Sequence, residues 1–199
     1  MKSIFLSAVV ALLIAASASH TAAQWHTELN YGSAFTTDRF HEFLPSAGFW
    51  NWQYQVRKEV NDRYEVGGSV AWSYFEHDFG RITRTGEAIA VTANTVHYTN
   101  ILAFQFVNQL NLTDPGEAVP FLRLGIGAAH QSQQENVGLF SLGNSGWQFM
   151  LNPEAGVRIA LRDDLGLVLA GGYSFLPESG GLLPTSFWSL KAGLSWSKF

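Results

Sequence analysis

The sequence predicts an all-β fold: an eight-stranded antiparallel up-and-down transmembrane β-barrel behind a cleaved signal peptide. Three observations carry this expectation. Beyond residue 23 the apolar positions recur with a period of two, the spacing of strands whose side chains alternate between faces. One face holds scattered charges among glycines and alanines, while the other is continuous in Leu, Ile, Val and aromatic side chains. In a soluble sandwich the inward face would be the apolar one; lipid outside and a narrow polar interior demand the reverse. Finally, long and short connections alternate strictly along the chain, the rhythm of short turns on one rim and long loops on the other.

Taken in order, residues 1–23 read as a signal peptide. Lys2 is its positive start, and Ile4 to Ala15 is an apolar run too short for a membrane helix. Ala16-Ser17-Ala18 and Thr21-Ala22-Ala23 are both acceptable cleavage triplets; a start at Gln24 places Trp25 at the head of the first strand. Residues 24–199 then form one barrel domain.

The first strand is Trp25 to Phe35, with Trp25, Leu29, Tyr31 and Phe35 on one face and His26, Glu28, Asn30 and Gly32 on the other. A loop from Thr36 to Gly48 precedes the second strand, Phe49 to Val60, where Trp50, Trp52, Tyr54 and Val56 alternate with Asn51, Gln53, Gln55, Arg57 and Glu59. After the Asn61-Asp62 turn, the third strand runs from Arg63 to about Phe75 and places Glu65 on the polar face. The segment from His77 to about Ala93 reads as the longest loop. The fourth strand, Asn94 to Leu112, ends at the strong turn signal Thr113-Asp114-Pro115-Gly116.

The fifth strand, Val119 to about His130, sets Leu122, Leu124 and Ile126 against Arg123, Gly125 and Gly127. Gln131 to Gly146 reads as a polar loop. The clearest hairpin follows. From near Trp147 to Leu161, Leu151, Ala155, Val157 and Ile159 alternate with Asn152, Glu154, Gly156 and Arg158. Arg162-Asp163-Asp164 turns the chain, and from Leu165 to Phe175, Leu165, Leu167, Leu169 and Tyr173 alternate with Gly166, Val168, Ala170 and Gly172. A loop with two prolines leads to the eighth strand, Ser186 to Phe199, where Trp188, Leu190, Leu194 and Trp196 alternate with Ser189, Lys191, Gly193 and Ser195. Aromatics gather near strand ends, as an interfacial girdle requires.

Composition excludes several classes. A net charge of −4 and a pI near 5.8 give no basic surface for nucleic acid. With no cysteine there is no disulfide framework, no thiolate metal site and no lipidated cysteine. The six histidines are dispersed without ligand spacing, and His41-Glu42 and His77-Asp78 read as solvated loop residues, so neither a metal nor another cofactor is expected.

Three segments carry a resemblance: Pro120-Phe121-Leu122-Arg123-Leu124-Gly125-Ile126-Gly127, Pro153-Glu154-Ala155-Gly156-Val157-Arg158, and the closing Lys191-Ala192-Gly193-Leu194-Ser195-Trp196-Ser197-Lys198-Phe199. With them the mature chain resembles the small outer-membrane β-barrel superfamily of OmpA-like, OmpX-like and opacity-type proteins. The resemblance implies export to a bacterial outer membrane, contact with its lipid and lipopolysaccharide, and a terminal Phe199 read by the barrel-assembly machinery. In the family that Phe shares a face with the preceding outward aromatics; here Trp196 and Phe199 have opposite parity. A bulge, or departure of the last residues from the sheet, would account for this.

The inward face is expected to hold Glu28, Arg57, Glu59, Glu65, Arg123, Glu154, Arg158 and Lys191, four acids against four bases. A barrel of eight strands is just wide enough to be filled by side chains, so these charges should pair as a plug rather than line an open pore. The expected role is structural or surface-binding through the outer loops, toward an extracellular ligand the sequence does not identify. A small channel or a hydrophobic-ligand transporter is the alternative, with Gly67-Gly68 and Gly171-Gly172 marking either a narrowing or room for bulky interior neighbours. Some eight-stranded barrels of the superfamily modify lipid A, and His97-Tyr98-Thr99 and His130-Gln131-Ser132 faintly resemble a deacylase segment. Neither carries an acid at matching spacing, and no catalysis is expected.

Overall fold

The computed structural model describes residues 24–85 and 90–198. The predicted signal peptide and Phe199, the proposed assembly signal, lie outside the described residues. Eight antiparallel strands close into a barrel: β1 (Trp25–Thr37), β2 (Ala47–Asn61), β3 (Tyr64–Thr85), β4 (Ala90–Asn111), β5 (Ala118–Val137), β6 (Phe140–Arg162), β7 (Leu165–Leu176) and β8 (Thr185–Lys198). Each strand pairs with the next, and β1 closes on β8 from Thr37↔Ser186 to Trp25↔Lys198 without a register shift. The bulge considered for the Trp196–Phe199 parity is therefore absent as far as Lys198.

The two faces follow the period-two reading. Leu29, Tyr31, Tyr54, Phe104, Phe106, Leu122, Leu124, Ile126, Leu169, Leu190 and Leu194 are exposed on the outer wall. Glu28, Gln53, Gln55, Arg57, Glu65, Gln109, Arg123 and Glu154 are buried inside it. Trp25, Trp50 and Trp188 are exposed near strand ends, and Trp147 is exposed eight residues into β6, where the outward face turns from apolar to polar. Among the described residues no helix is long and apolar enough to cross a membrane.

Three predicted loops are corrected. The segment His77 to Ala93 is largely strand: β3 and β4 stay paired from Phe75↔Thr99 up to Thr85↔Ala90. Gln131 to Gly146 is a hairpin, with β5 and β6 paired up to Val137↔Phe140. Its tip is the two-residue turn Gly138-Leu139, and Gly138 at φ 60° occupies the position where a type II′ turn needs glycine. Above the belt the outward residues become polar (Glu76, Asp78, Asn100, Ser132), so the alternation that marks a strand in lipid disappears while the backbone ladder continues. The loop Thr36 to Gly48 contains a short helix, α1 (Asp38–Phe43), whose Phe40 and the following Leu44 are fully buried in the barrel mouth.

The barrel is consequently lopsided. Strands β3 to β6 have 22, 22, 20 and 23 residues, whereas β1, β2, β7 and β8 have 13, 15, 12 and 14. Since roughly 9–11 tilted residues cross the bilayer, the taller half stands about ten residues above it, or roughly 25 Å for strands tilted by about 40°.

Candidate functional sites: a filled lumen and a protruding sheet

The lower lumen is built by inward positions of seven strands, β1 to β6 and β8. Glu28 accepts from Arg57 at 2.7 Å and from Arg123 at 3.0 Å, with Asn30 at 2.6 Å and Gln55 at 2.7 Å completing its shell. Arg57 reaches Glu65 at 2.9 Å. Arg123 reaches Glu154, its register partner on β6, at 3.0 Å, donates twice to Gln109, and lies 4.4 Å from the centre of the Phe121 ring. Lys191 donates to Glu154 and to Gln53. Arg158 lies 3.2 Å from Glu65, and Asn111 and Asn152 donate to Glu65 and Glu154 at 2.9 Å each.

Removing charges from water is costly unless every charge is paired and hydrogen-bonded. Here each carboxylate meets at least one cation and one amide or imidazole, except Glu59, which meets His26 alone at 2.7 Å. Seven of the eight expected charges are thus in one ion-pair network; Glu59, at the rim, adjoins it through His26, which lies 3.4 Å from Arg158. The amides Asn30, Gln53, Gln55, Gln109, Asn111 and Asn152, and His26, are functional residues that a count of charges missed. Their signal was their parity with Glu28, Arg57, Arg123 and Glu154.

Gly172 makes room for this layer, because a Cβ there would lie 2.8 Å from Cγ of Glu154. This favours the bulky-neighbour reading of Gly171-Gly172.

Above the charges lies an apolar layer of Ala34, Phe75, Ile101, Ala103, Ala129, Met150, Leu176 and Phe187, closed from above by Phe40 and Leu44 of the α1 segment. Phe75 packs edge-on against Phe40 and Phe187, with ring centres 5.2 Å apart in each pair. Asp38, in the left-handed region at φ 52°, anchors the helix by accepting from Ser186 at 2.9 Å and Tyr173 at 3.3 Å. His97 donates to the Phe43 carbonyl at 2.6 Å and stacks on its ring. The described side chains therefore fill the lumen at both levels.

The deacylase-like segments do not assemble. His97 is committed to that carbonyl and lies 3.4 Å from Glu135, while His130 lies on the outer wall against Trp147.

The second site is the four-stranded sheet that β3 to β6 raise above the belt. Toward β2 the ladder of β3 ends at Trp50↔Tyr74; toward β7 the ladder of β6 ends at Leu151↔Phe175. Leu139, Phe140 and Leu142 form an exposed apolar tip on the β5–β6 hairpin.

An apolar exterior, a charged and filled interior and closure of all sheet edges within the belt define an integral membrane β-barrel. Its fold is that of the small outer-membrane barrels. No family model matches the chain, and no curated protein matches its sequence. Among solved structures it is similar to Ail, the attachment invasion locus protein of Yersinia pestis, solved with the heparin analogue sucrose octasulfate (12% identity, 89% of this chain and 100% of that one, TM-score 0.57). It is also similar to a major outer-membrane protein of Thermus thermophilus (12% identity, 89% and 100%, TM-score 0.60). A third is the outer-membrane protein OprG of Pseudomonas aeruginosa (11% identity, 90% and 98%, TM-score 0.53). At these identities the shared property is the fold.

Proposed function

We propose that the chain is a structural and surface-binding protein of the bacterial outer membrane, in which the lumen is a salt-bridged plug and the protruding sheet is the binding surface. The observation that carries this reading is the open pair of edges on the tall half, β3 above Tyr74 and β6 above Leu151. Such edges offer backbone groups to an extended segment of a partner protein, and the apolar tip at Leu139, Phe140 and Leu142 adds a contact surface with no role in the barrel.

Above the belt the described charged side chains are Asp38, Glu42, Glu76, Asp78, Glu135 and Glu178 against Arg39 and Arg81. That balance disfavours a polyanion of the kind bound by Ail. The apolar belt is the contact with membrane lipid and lipopolysaccharide, and the barrel-assembly machinery is the inserting partner.

Hydrophobic-ligand transport has one observation in its favour. The β6–β7 ladder lapses between Leu151↔Phe175 and Glu154↔Gly172, around Pro153, which has no N–H to give. Ser174 spans that lapse with a 3.2 Å bond to Asn152, so the seam reading is the weaker one. Catalysis has less support. Ser197, His26 and Glu59 do form a hydroxyl–imidazole–carboxylate line, but Arg158 lies 3.4 Å from the ring nitrogen that faces the serine. An imidazolium formed there would meet a like charge.

The test is peptide selection on the protein in lipid nanodiscs, counter-selected against a variant with residues 132–145 replaced by Asn-Gly. Peptides that bind the full protein and not the variant are expected; equal recovery on both overturns binding at the β6 edge and the apolar tip. Planar-bilayer recording tests the plug, and a stable open conductance overturns it.

A further inference from the structure

We propose that the rim of the barrel carrying the short turns holds a site for a divalent transition cation of the zinc class, built by His26, Glu59 and Glu65. One ligand atom from each lies within 4.8 Å of the other two. Zinc bonds of about 2.0–2.2 Å place neighbouring ligands roughly 3.5 Å apart, so closure by about 1 Å suffices. Glu59, with a side chain 30% exposed, is free to supply that movement.

Four further observations point to the same place. Glu59 and Glu65 are register partners across β2 and β3, so the ladder sets the two carboxylates side by side next to His26. Ser197 Oγ lies 2.8 Å from His26 Nδ1 and holds the ring so that Nε2 faces the carboxylates, the supporting bond typical of a ligating histidine. A cavity of about 220 Å³ opens beside His26 and Glu59, and Asp62, Asp163 and Asp164 on its lining attract cations. The hydroxyl of Ser195, a residue 2% exposed, lines the same cavity without a hydrogen-bond partner among the described residues.

One imidazole and two carboxylates suit zinc or cobalt better than magnesium or calcium, which favour all-oxygen shells. A water from the cavity would complete four-coordination. Arg158 is the built-in competitor, 3.2 Å from Glu65 and 3.4 Å from His26. Its side chain is 17% exposed, and it shares the cavity with Asp163 and Asp164, toward which it can withdraw. A bound ion would clamp β1, β2 and β3 together beside the β1–β8 closure.

The experiment is titration of the full chain, folded in detergent micelles, with Zn²⁺ and with Co²⁺, the latter followed by visible absorption. One ion per chain is expected. Glu59→Gln should weaken binding at least tenfold, and Arg158→Gln should tighten it at least tenfold. Both substitutions lie at the rim, and a gel shift on boiling confirms that each variant is folded. Failure of the wild-type chain to bind one equivalent, or unchanged affinity in Glu59→Gln, overturns the proposal.

Discussion

Arg123 and Glu154 face each other across β5 and β6 as register partners joined by a 3.0 Å salt bridge, and Arg123 also reaches Glu28, on the other side of the lumen. One guanidinium thus ties the β5–β6 hairpin to β1, which is distant from it in sequence. Arg123→Met should remove about 3–5 kcal/mol of stability, because Glu28 and Glu154 stay buried with fewer partners. The urea midpoint of the folded form in micelles measures this. Arg63→Ala, which breaks the exposed 2.8 Å pair with Asp114, should cost no more than about 1 kcal/mol in the same assay.

Phe40 is the apolar stopper of the upper lumen, packed edge-on against Phe75. Phe40→Ala should destabilise by about 3–5 kcal/mol through lost burial and a residual cavity. It should not produce a stable conductance, because the charge layer beneath remains filled. Single-channel recording separates the two levels: current through the variant would make the apolar layer the seal.

Closure of the barrel depends on a close approach at Gly193. A Cβ there would lie 2.2 Å from the Leu29 carbonyl oxygen and 2.2 Å from Oδ1 of Asn30. Gly193→Val should sharply reduce the yield of folded barrel on refolding into detergent. Gly68→Ala meets nothing nearer than the Gln105 carbonyl oxygen at 3.7 Å and should refold like the wild type.

The reversed polarity itself has a direct check. The outer-membrane fraction, run unheated and boiled on an SDS gel, should give a compact band that shifts on boiling. A soluble protein with no shift would turn the exposed Leu29, Phe104 and Leu122 surface into an unexplained feature.

Within the belt the sequence was easy to read because lipid on one side and packed polar groups on the other force a residue-by-residue contrast, as at Leu122-Arg123-Leu124 and Val157-Arg158-Ile159. Above the belt the outward face meets water instead of lipid and the buried inward face carries Thr95, Thr99, Gln131 and Gln133, so the contrast between faces is lost and Glu76, Asp78, Ser132 and Gln134 look like loop residues although their backbones are paired. The helix at Asp38–Phe43 was equally hidden. It has only six residues, and what fixes it is burial of Phe40 against Phe75 and anchoring of Asp38 by Ser186, partners that adjoin it only once the barrel has closed.

The sequence by itself determined the eight strands, their parity, and the inward placement of Glu28, Arg57, Glu65, Arg123, Glu154 and Lys191, because alternation is a local property of an extended backbone. Only the tertiary structure decided which charge meets which, how high each strand rises, and that His26, Glu59 and Glu65 converge at one rim. Those relations depend on register and on closure of β1 against β8, which bring together residues more than a hundred positions apart, such as His26 and Ser197.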